Sequence, residues 1–296
     1  MKNSYKKALT LILFTIGAQQ ANAQLNPLGT QYYINQYLAN PALAGSSQGL
    51  KVNAVTRKLW SNVPGSPATQ NLSADYGFDK VGVGFILNTE KSGLERQTRF
   101  VGSYAYHLPL NNTDEQLNFG VSLGIMNQHL DRTEYYGNPN DPQVESYDNR
   151  KTYFDGDFGV AYTSKTLNIQ AAAPNLKNLL KKDIGTIADM PTFYAAVSYK
   201  ITLGEGISEA DLEPKAAFRG VKGYDNIIDA GGQLTFANKQ VFIMGLYHST
   251  KNATFALGMD YQKKYLISAM YTTQTSALSS YTNGSFELSL RLYLPK

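Results

Sequence analysis

From Leu50 to the C-terminus the chain switches between apolar and polar residues at nearly every second position. That period belongs to β-strands, whose successive side chains point to opposite faces, and not to helices. Between positions 192 and 201, Phe193, Ala195, Val197, Tyr199 and Ile201 share one face, while Tyr194, Ser198 and Lys200 share the other. The closing segment repeats the pattern, with Phe286, Leu288, Leu290, Leu292 and Leu294 against Glu287, Ser289, Arg291 and Tyr293. Similar apolar rows run through 81–87, 117–125, 228–236 and 255–261. Each segment has one apolar face and one that is expected to be wet.

Marking these segments gives strands near 50–58, 68–78, 81–90, 97–109, 116–129, 153–164, 166–173, 192–203, 214–221, 227–237, 239–249, 253–262, 264–274 and 285–294, fourteen in all. Single-chain bacterial outer-membrane barrels have even strand counts, because both ends of the chain return to the periplasm. The fold expected is all-β, an up-and-down transmembrane barrel of about 14 antiparallel strands of the outer-membrane type. No apolar run reaches the eighteen or so residues of a membrane-spanning helix. A soluble exported β-sandwich is the other possible use of so many strands, but it must bury two full apolar sheets against each other. Abundant aromatics and glycine (21 Tyr, 13 Phe, 25 Gly) suit strands and tight turns.

The chain start reads as an export signal over 1–23: Lys2, Lys6 and Lys7, a short apolar run, then Ala21-Asn22-Ala23 as a cleavage site. An N-terminal periplasmic segment, 24–49, then precedes the barrel, 50–296. No cysteine occurs, so neither disulfides nor lipid attachment at a cysteine is available. The net charge of +4 is small and dispersed, which gives a nucleic-acid partner no footing.

If the first strand runs outward, the periplasmic connections include the tight pairs Asp79-Lys80, Ser164-Lys165, Asn238-Lys239 and Lys263-Lys264. The external ones include the long stretches 130–152, 174–191 and 275–284. Short periplasmic turns with longer external loops mark a transmembrane barrel, although 204–213 reads as a longish connection on the periplasmic side. Tyrosines near strand ends, such as Tyr76, Tyr104, Tyr106, Tyr261 and Tyr265, suit the aromatic girdles at the two interfaces. One stretch departs from period two: in "NLKNLLKK" (175–182) the leucines have helical spacing, as in a short amphipathic turn within a loop.

Catalytic signatures are missing. His107, His129 and His248 each stand alone in sequence, without metal-ligand spacing. Neither a G-x-S-x-G elbow nor a P-loop occurs. Asp155-Gly156-Asp157 lacks the further carboxylates of a calcium loop and reads as a turn entering the strand at Phe158. No enzyme, metal or cofactor is expected. Lys200, Arg219, Asp229, Asp260, Glu287 and Arg291 fall on polar strand faces, where a barrel would turn them into its lumen to tune a pore or to pair with one another.

A structure breaker precedes the first strand. In Asn40-Pro41-Ala42-Leu43-Ala44-Gly45 the proline cannot donate to a ladder, and Asn40 before it is biased away from helix. A compact turn at the periplasmic mouth is expected, either as a stopper or docking surface or only as a guide into strand one.

Over nearly the whole length the residues resemble the PorP/SprF family of outer-membrane proteins, associated with the type IX secretion system and gliding motility of Bacteroidetes. The likeness is carried by "QYYINQYLANPALAGSSQGLKVNAVTRKLW" (31–60), the Pro-Gly-Ser-Pro-x-Thr run at 64–69, "SYAYHLPL" (103–110), "FDGDFGVAY" (154–162), "MPTFYAAVSYKI" (190–201) and "SFELSLRLYLPK" (285–296), in that order. It implies a non-enzymatic barrel that helps export or hold a secreted adhesin-like protein bearing a type IX C-terminal domain. A periplasmic motor component or peptidoglycan-binding lipoprotein is the other partner it implies. Partner contacts are expected at Asn40, Pro41, Gly45, Arg57, Trp60, Pro64, Gly65 and Pro67. An outer-membrane pore for solutes remains the alternative.

Overall fold

A computed structural model describes residues 29–111, 114–131, 152–177, 191–204, 209–221, 225–274 and 282–296. Fifteen strands form one antiparallel sheet that closes on itself. They are β1 (Gly49–Leu59), β2 (Ala68–Phe78), β3 (Val81–Ser92), β4 (Glu95–Pro109), β5 (Gln116–Leu130), β6 (Tyr153–Thr163), β7 (Leu167–Ala173), β8 (Pro191–Tyr199), β9 (Ile201–Leu203), β10 (Ala210–Val221), β11 (Ile227–Phe236), β12 (Val241–His248), β13 (Asn252–Tyr261), β14 (Tyr265–Thr272) and β15 (Ser285–Leu294). Strands β8 and β9 are one course interrupted at Lys200, and both pair with β10, so the wall has fourteen courses. Closure comes from β1 on β15, where Asn53 faces Arg291 and Arg57 faces Glu287. No helix among the described residues is long and apolar enough to cross a membrane.

The apolar face of each strand points outward. On β5, Val121, Leu123 and Ile125 are exposed, and on β15 so are Phe286, Leu288 and Leu290. Water would punish such a surface, whereas hydrocarbon accepts it, and closure satisfies every wall amide without a free edge.

The two ends of the barrel differ. One end carries short turns: Asp79-Lys80 joins β2 to β3, and residues 262–264 join β13 to β14. Asp79, Gln262 and Lys263 adopt left-handed φ values of 51°, 54° and 54°, the geometry that matches strand twist in tight hairpins. The turns at 164–166 and 237–240 are one and two residues longer than the expected pairs, because their strands end sooner. The connection expected at 204–213 shrinks to 204–209, since β10 begins at Ala210 and pairs with β9. The opposite end carries 60–67 and the connections around 132–151, 178–190 and 275–281, which lie outside the described residues. The long external loops and most of "NLKNLLKK" therefore have no structural description. Two links at that end are short, 93–94 and 249–251.

The polar face is not wet throughout. Residues 29–45 lie inside the barrel, and many inward side chains are buried against them. The segment is a four-residue helix α1 (Gln31–Ile34) followed by 3-10 turns at Gln36–Leu38 and Pro41–Leu43. From the sequence, 24–49 is expected on the periplasmic side, with a compact turn tucked into the barrel's mouth. The described residues 29–45 reach on into the lumen, where their tyrosines and small residues find buried partners.

Candidate functional site

The site is the filled lumen. Its first part is a groove that receives Asn40 to Gly45. A side-chain carbon at Gly120 would overlap Pro41 and Ala42, one at Gly159 would overlap Asn40, and one at Gly82 would overlap Ala44. Strands β3, β5 and β6 thus lack side chains where the segment passes. Asn40, fully buried, caps the second 3-10 turn by accepting from the Ala42 amide at 3.0 Å and donates to Val160 O at 3.1 Å. His107 Nε2 donates to Ala44 O at 3.0 Å, and Asp75 accepts the Gly45 amide at 2.9 Å. Gly45 sits at φ +62°, with backbone of Tyr76, Gly77 and Gly82 against it, so a side chain there would be both strained and obstructed.

Farther along, Tyr37 donates to Ser103 Oγ at 2.8 Å and Asn35 to Ser73 Oγ at 3.0 Å. Burial pushes the Tyr32, Tyr33 and Tyr37 phenols up from their ordinary value. Tyr33 packs into an inward apolar patch of Phe242, Met244, Leu246, Leu266 and Met270.

The second part is a charged cluster toward the loop end. Asp229 accepts from Tyr32 Oη at 2.6 Å, from Arg219 Nε at 2.8 Å and Nη2 at 2.9 Å, and contacts His248 Nδ1 at 2.6 Å. Arg219, Asp229 and His248 are each 2% exposed or less. Such charges tolerate burial only with partners on all sides, which this arrangement supplies. Beside it, Glu287 meets Arg57 Nε at 3.4 Å and accepts from Thr30 N and Oγ1, both at 3.3 Å.

The connectivity Asp229–His248–Thr254, with His248 Nε2 2.8 Å from Thr254 Oγ1, has the form of a nucleophile relay. Thr254 is 0% exposed and shares its hydroxyl with Thr272 at 2.7 Å, so a substrate carbonyl has no approach to it. The relay holds strands together. Among the described residues no group of three or more His, Asp or Glu could hold a metal.

A polar cavity of about 460 Å³ opens beneath the segment toward the turn end. Lys51, Asp75 and Arg291 line it together with Asn35 and Gln36 of the segment.

The family model for the type IX secretion system membrane protein PorP/SprF matches residues 21–292. The chain belongs to the PorP/SprF family. None of the curated proteins matches it. Among solved structures, the Acinetobacter baumannii outer membrane protein Omp33 aligns at 8% identity with a TM-score of 0.50, over 84% of this chain and all of that one. The KdgM porin aligns at 8% identity with a TM-score of 0.40, over 82% and 99%. The Omp33 likeness shows an outer-membrane barrel fold and nothing about activity. In this PorP/SprF chain the short-turn end with both ends of the wall is accordingly the periplasmic end.

The residues expected to contact partners fall into two places in this family member. Asn40, Pro41 and Gly45 are buried in the lumen, and Arg57 lies inward on β1, paired with Glu287. Trp60, Pro64, Gly65 and Pro67 belong to the β1–β2 connection at the loop end, with Pro64 and Gly65 exposed and Pro67 buried. Of the polar candidates, Asp229 and Glu287 anchor the segment. Asp260 and Arg291 face each other near the turn end at 3.7 Å. Lys200 stands exposed in the break between β8 and β9, outside any cluster, because the strand course is interrupted there. Asp155 and Asp157, read as a turn, lie within β6 and hold Arg99, with Nη2 2.6 Å from Asp157. His248, solitary in sequence, is part of the Asp229 cluster.

Sequence reasoning missed Tyr32, Arg99 and the glycine groove. A signal was available for the groove: Gly82, Gly120 and Gly159 occupy inward positions of their strands, where a barrel normally places a side chain.

Proposed function

We propose that this PorP/SprF barrel assists export or surface anchoring of a secreted, adhesin-like client bearing a type IX C-terminal domain, and that its periplasmic mouth links to motor or peptidoglycan-binding components. The match over 21–292 carries this reading. The geometry supports it in two ways. The β1–β2 connection with Trp60, Pro64 and Gly65 presents rigid, partly exposed groups on the loop side, and the polar cavity opens on the periplasmic side. An amino-terminal signal ending at Ala23 would deliver the chain to the periplasm for insertion. The role is structural and not enzymatic in this reading, which the sealed position of the Asp229–His248–Thr254 relay supports.

An open solute pore is the less favoured function, because residues 29–45 lie across the lumen. Crosslinking of the tagged protein in intact cells, with identification of co-purifying proteins, tests the reading. Recovery of a type IX client or a periplasmic motor lipoprotein is expected, and recovery of neither would overturn it. Loss of client display on replacing Trp60 and Pro64 with Ala, with the barrel intact, would place the contact on the β1–β2 connection.

A further inference from the structure

The segment in the lumen is held at two places by different physics. Toward the periplasm, Asn40 to Gly45 lies directly against Gly82, Gly120 and Gly159, a close steric fit that requires those wall positions to stay bare. Toward the loops, Thr30 and Tyr32 make side-chain hydrogen bonds to Glu287 and Asp229. When those bonds break, the wall is not left with orphaned charge. Asp229 keeps Arg219 and His248, and Glu287 keeps Arg57. The outer anchor is therefore the one that releases without stranding a charge in the wall, with the inner anchor as its pivot.

What release uncovers also follows from the wall. Eight-stranded barrels fill their interior with their own side chains, while barrels of sixteen strands leave an aqueous channel. Here, with fourteen courses, small inward residues such as Ser73, Ser103 and Ser122 face the segment, so the wall alone does not fill the bore. A polar cavity of about 460 Å³ already reaches the segment from the turn end.

We propose that the barrel contains a latent hydrophilic passage for ions and small solutes, sealed by its own residues Gly29 to Gly45 and opened when the Thr30–Tyr32 end lets go of Glu287 and Asp229. This activity is independent of the client reading and stands or falls separately from it.

The test is conductance of the purified full chain in planar bilayers. Thr30→Val with Tyr32→Phe removes the outer side-chain hydrogen bonds at nearly constant shape and leaves the Thr30 amide on Glu287. One charged hydrogen bond shifts an equilibrium about ten- to a hundredfold, so open time should rise at least tenfold over the wild type. Because the chain has no cysteine, Thr30→Cys with Met270→Cys, at positions whose side chains touch (Thr30 Oγ1 lies 3.2 Å from Met270 Sδ), can be joined through two disulfides by a short bis-methanethiosulfonate crosslinker, which gives a reversible lock. The crosslinked pair should be silent, and reduction should restore brief openings in the same protein. Folding is checked by the heat-dependent gel mobility of barrels. A folded Thr30→Val/Tyr32→Phe variant no more conductive than wild type would overturn the proposal, as would a wild type that conducts steadily or a lock that leaves conductance unchanged. If the double variant fails to assemble, the crosslinked and reduced states of the cysteine pair decide alone.

Discussion

The Tyr32 hydroxyl donates to Asp229 at 2.6 Å across 197 residues of sequence, joining the start of the folded chain to the inward face of β11. Arg219 binds the same carboxylate through two nitrogens and lies 5.3 Å from the Tyr32 ring, so one aspartate organises phenol, guanidinium and imidazole together. Removing the aspartate strands a buried arginine, whereas removing the phenol costs one bond. Asp229→Ala is expected to destabilise by about 3–5 kcal/mol and Tyr32→Phe by about 1.5–3 kcal/mol. Denaturant unfolding followed by tryptophan fluorescence and gel mobility measures both, and equal losses would contradict the hub.

The glycine groove makes a positional prediction. Gly120→Leu or Gly159→Val should leave the barrel assembled and expel Asn40 to Gly45, because the new side chain takes the place of segment backbone at Gly120 and of the Asn40 side chain at Gly159. Chymotrypsin should then cut at Tyr32, Tyr33 or Tyr37, which are buried in the wild type. Gly245→Ala is the control: nothing stands within 4 Å of its added carbon, so stability should move by less than about 0.5 kcal/mol.

Arg57 and Glu287 face each other directly across the β1–β15 closure. Glu287→Leu should cost about 3–5 kcal/mol by removing the carboxylate that faces the buried Arg57 guanidinium. Adding Arg57→Met should recover much of that loss, with a coupling of about 1–3 kcal/mol in the double-mutant cycle. Additive losses would mean the pair contributes nothing to closure.

Alkali should loosen the segment before it harms the wall. Burial raises the Tyr32, Tyr33 and Tyr37 phenols above their ordinary value of about 10, so the neutral forms favour the folded state. Their contribution is complete below about pH 10 and is lost as pH climbs toward the raised folded values. A difference titration at the phenolate absorbance, wild type minus Tyr37→Phe, should show its step only well above pH 10. A step at the ordinary value would show Tyr37 to be solvated.

How much of this is legible in the residues differs from element to element. The outward rows, such as Leu123 beside Val121 or Leu288 beside Phe286, are plain because lipid imposes the same requirement on every strand and so writes a local period. Asp229 and Glu287 could be assigned to the inward face by the same count. Their meaning could not, since Tyr32 and Thr30 lie 197 and 257 residues away in the chain. His248 looked solitary for the same reason. Asp155 and Asp157 were misread as a turn because glycine between two aspartates imitates one, while the strand ladder with β5 and the demand of Arg99 keep them extended.

Alternation, export-like start and ordered motifs by themselves determined that this is an outer-membrane barrel of about fourteen strands with its apolar face outward, because each of those properties is set by neighbours in sequence or by the solvent. Only the tertiary structure decided that Asn40-Pro41-Ala42-Leu43-Ala44-Gly45 lies within the lumen and not beneath it. A groove made of missing side chains leaves no periodic trace, and it becomes visible only once the backbone that fills it is in place.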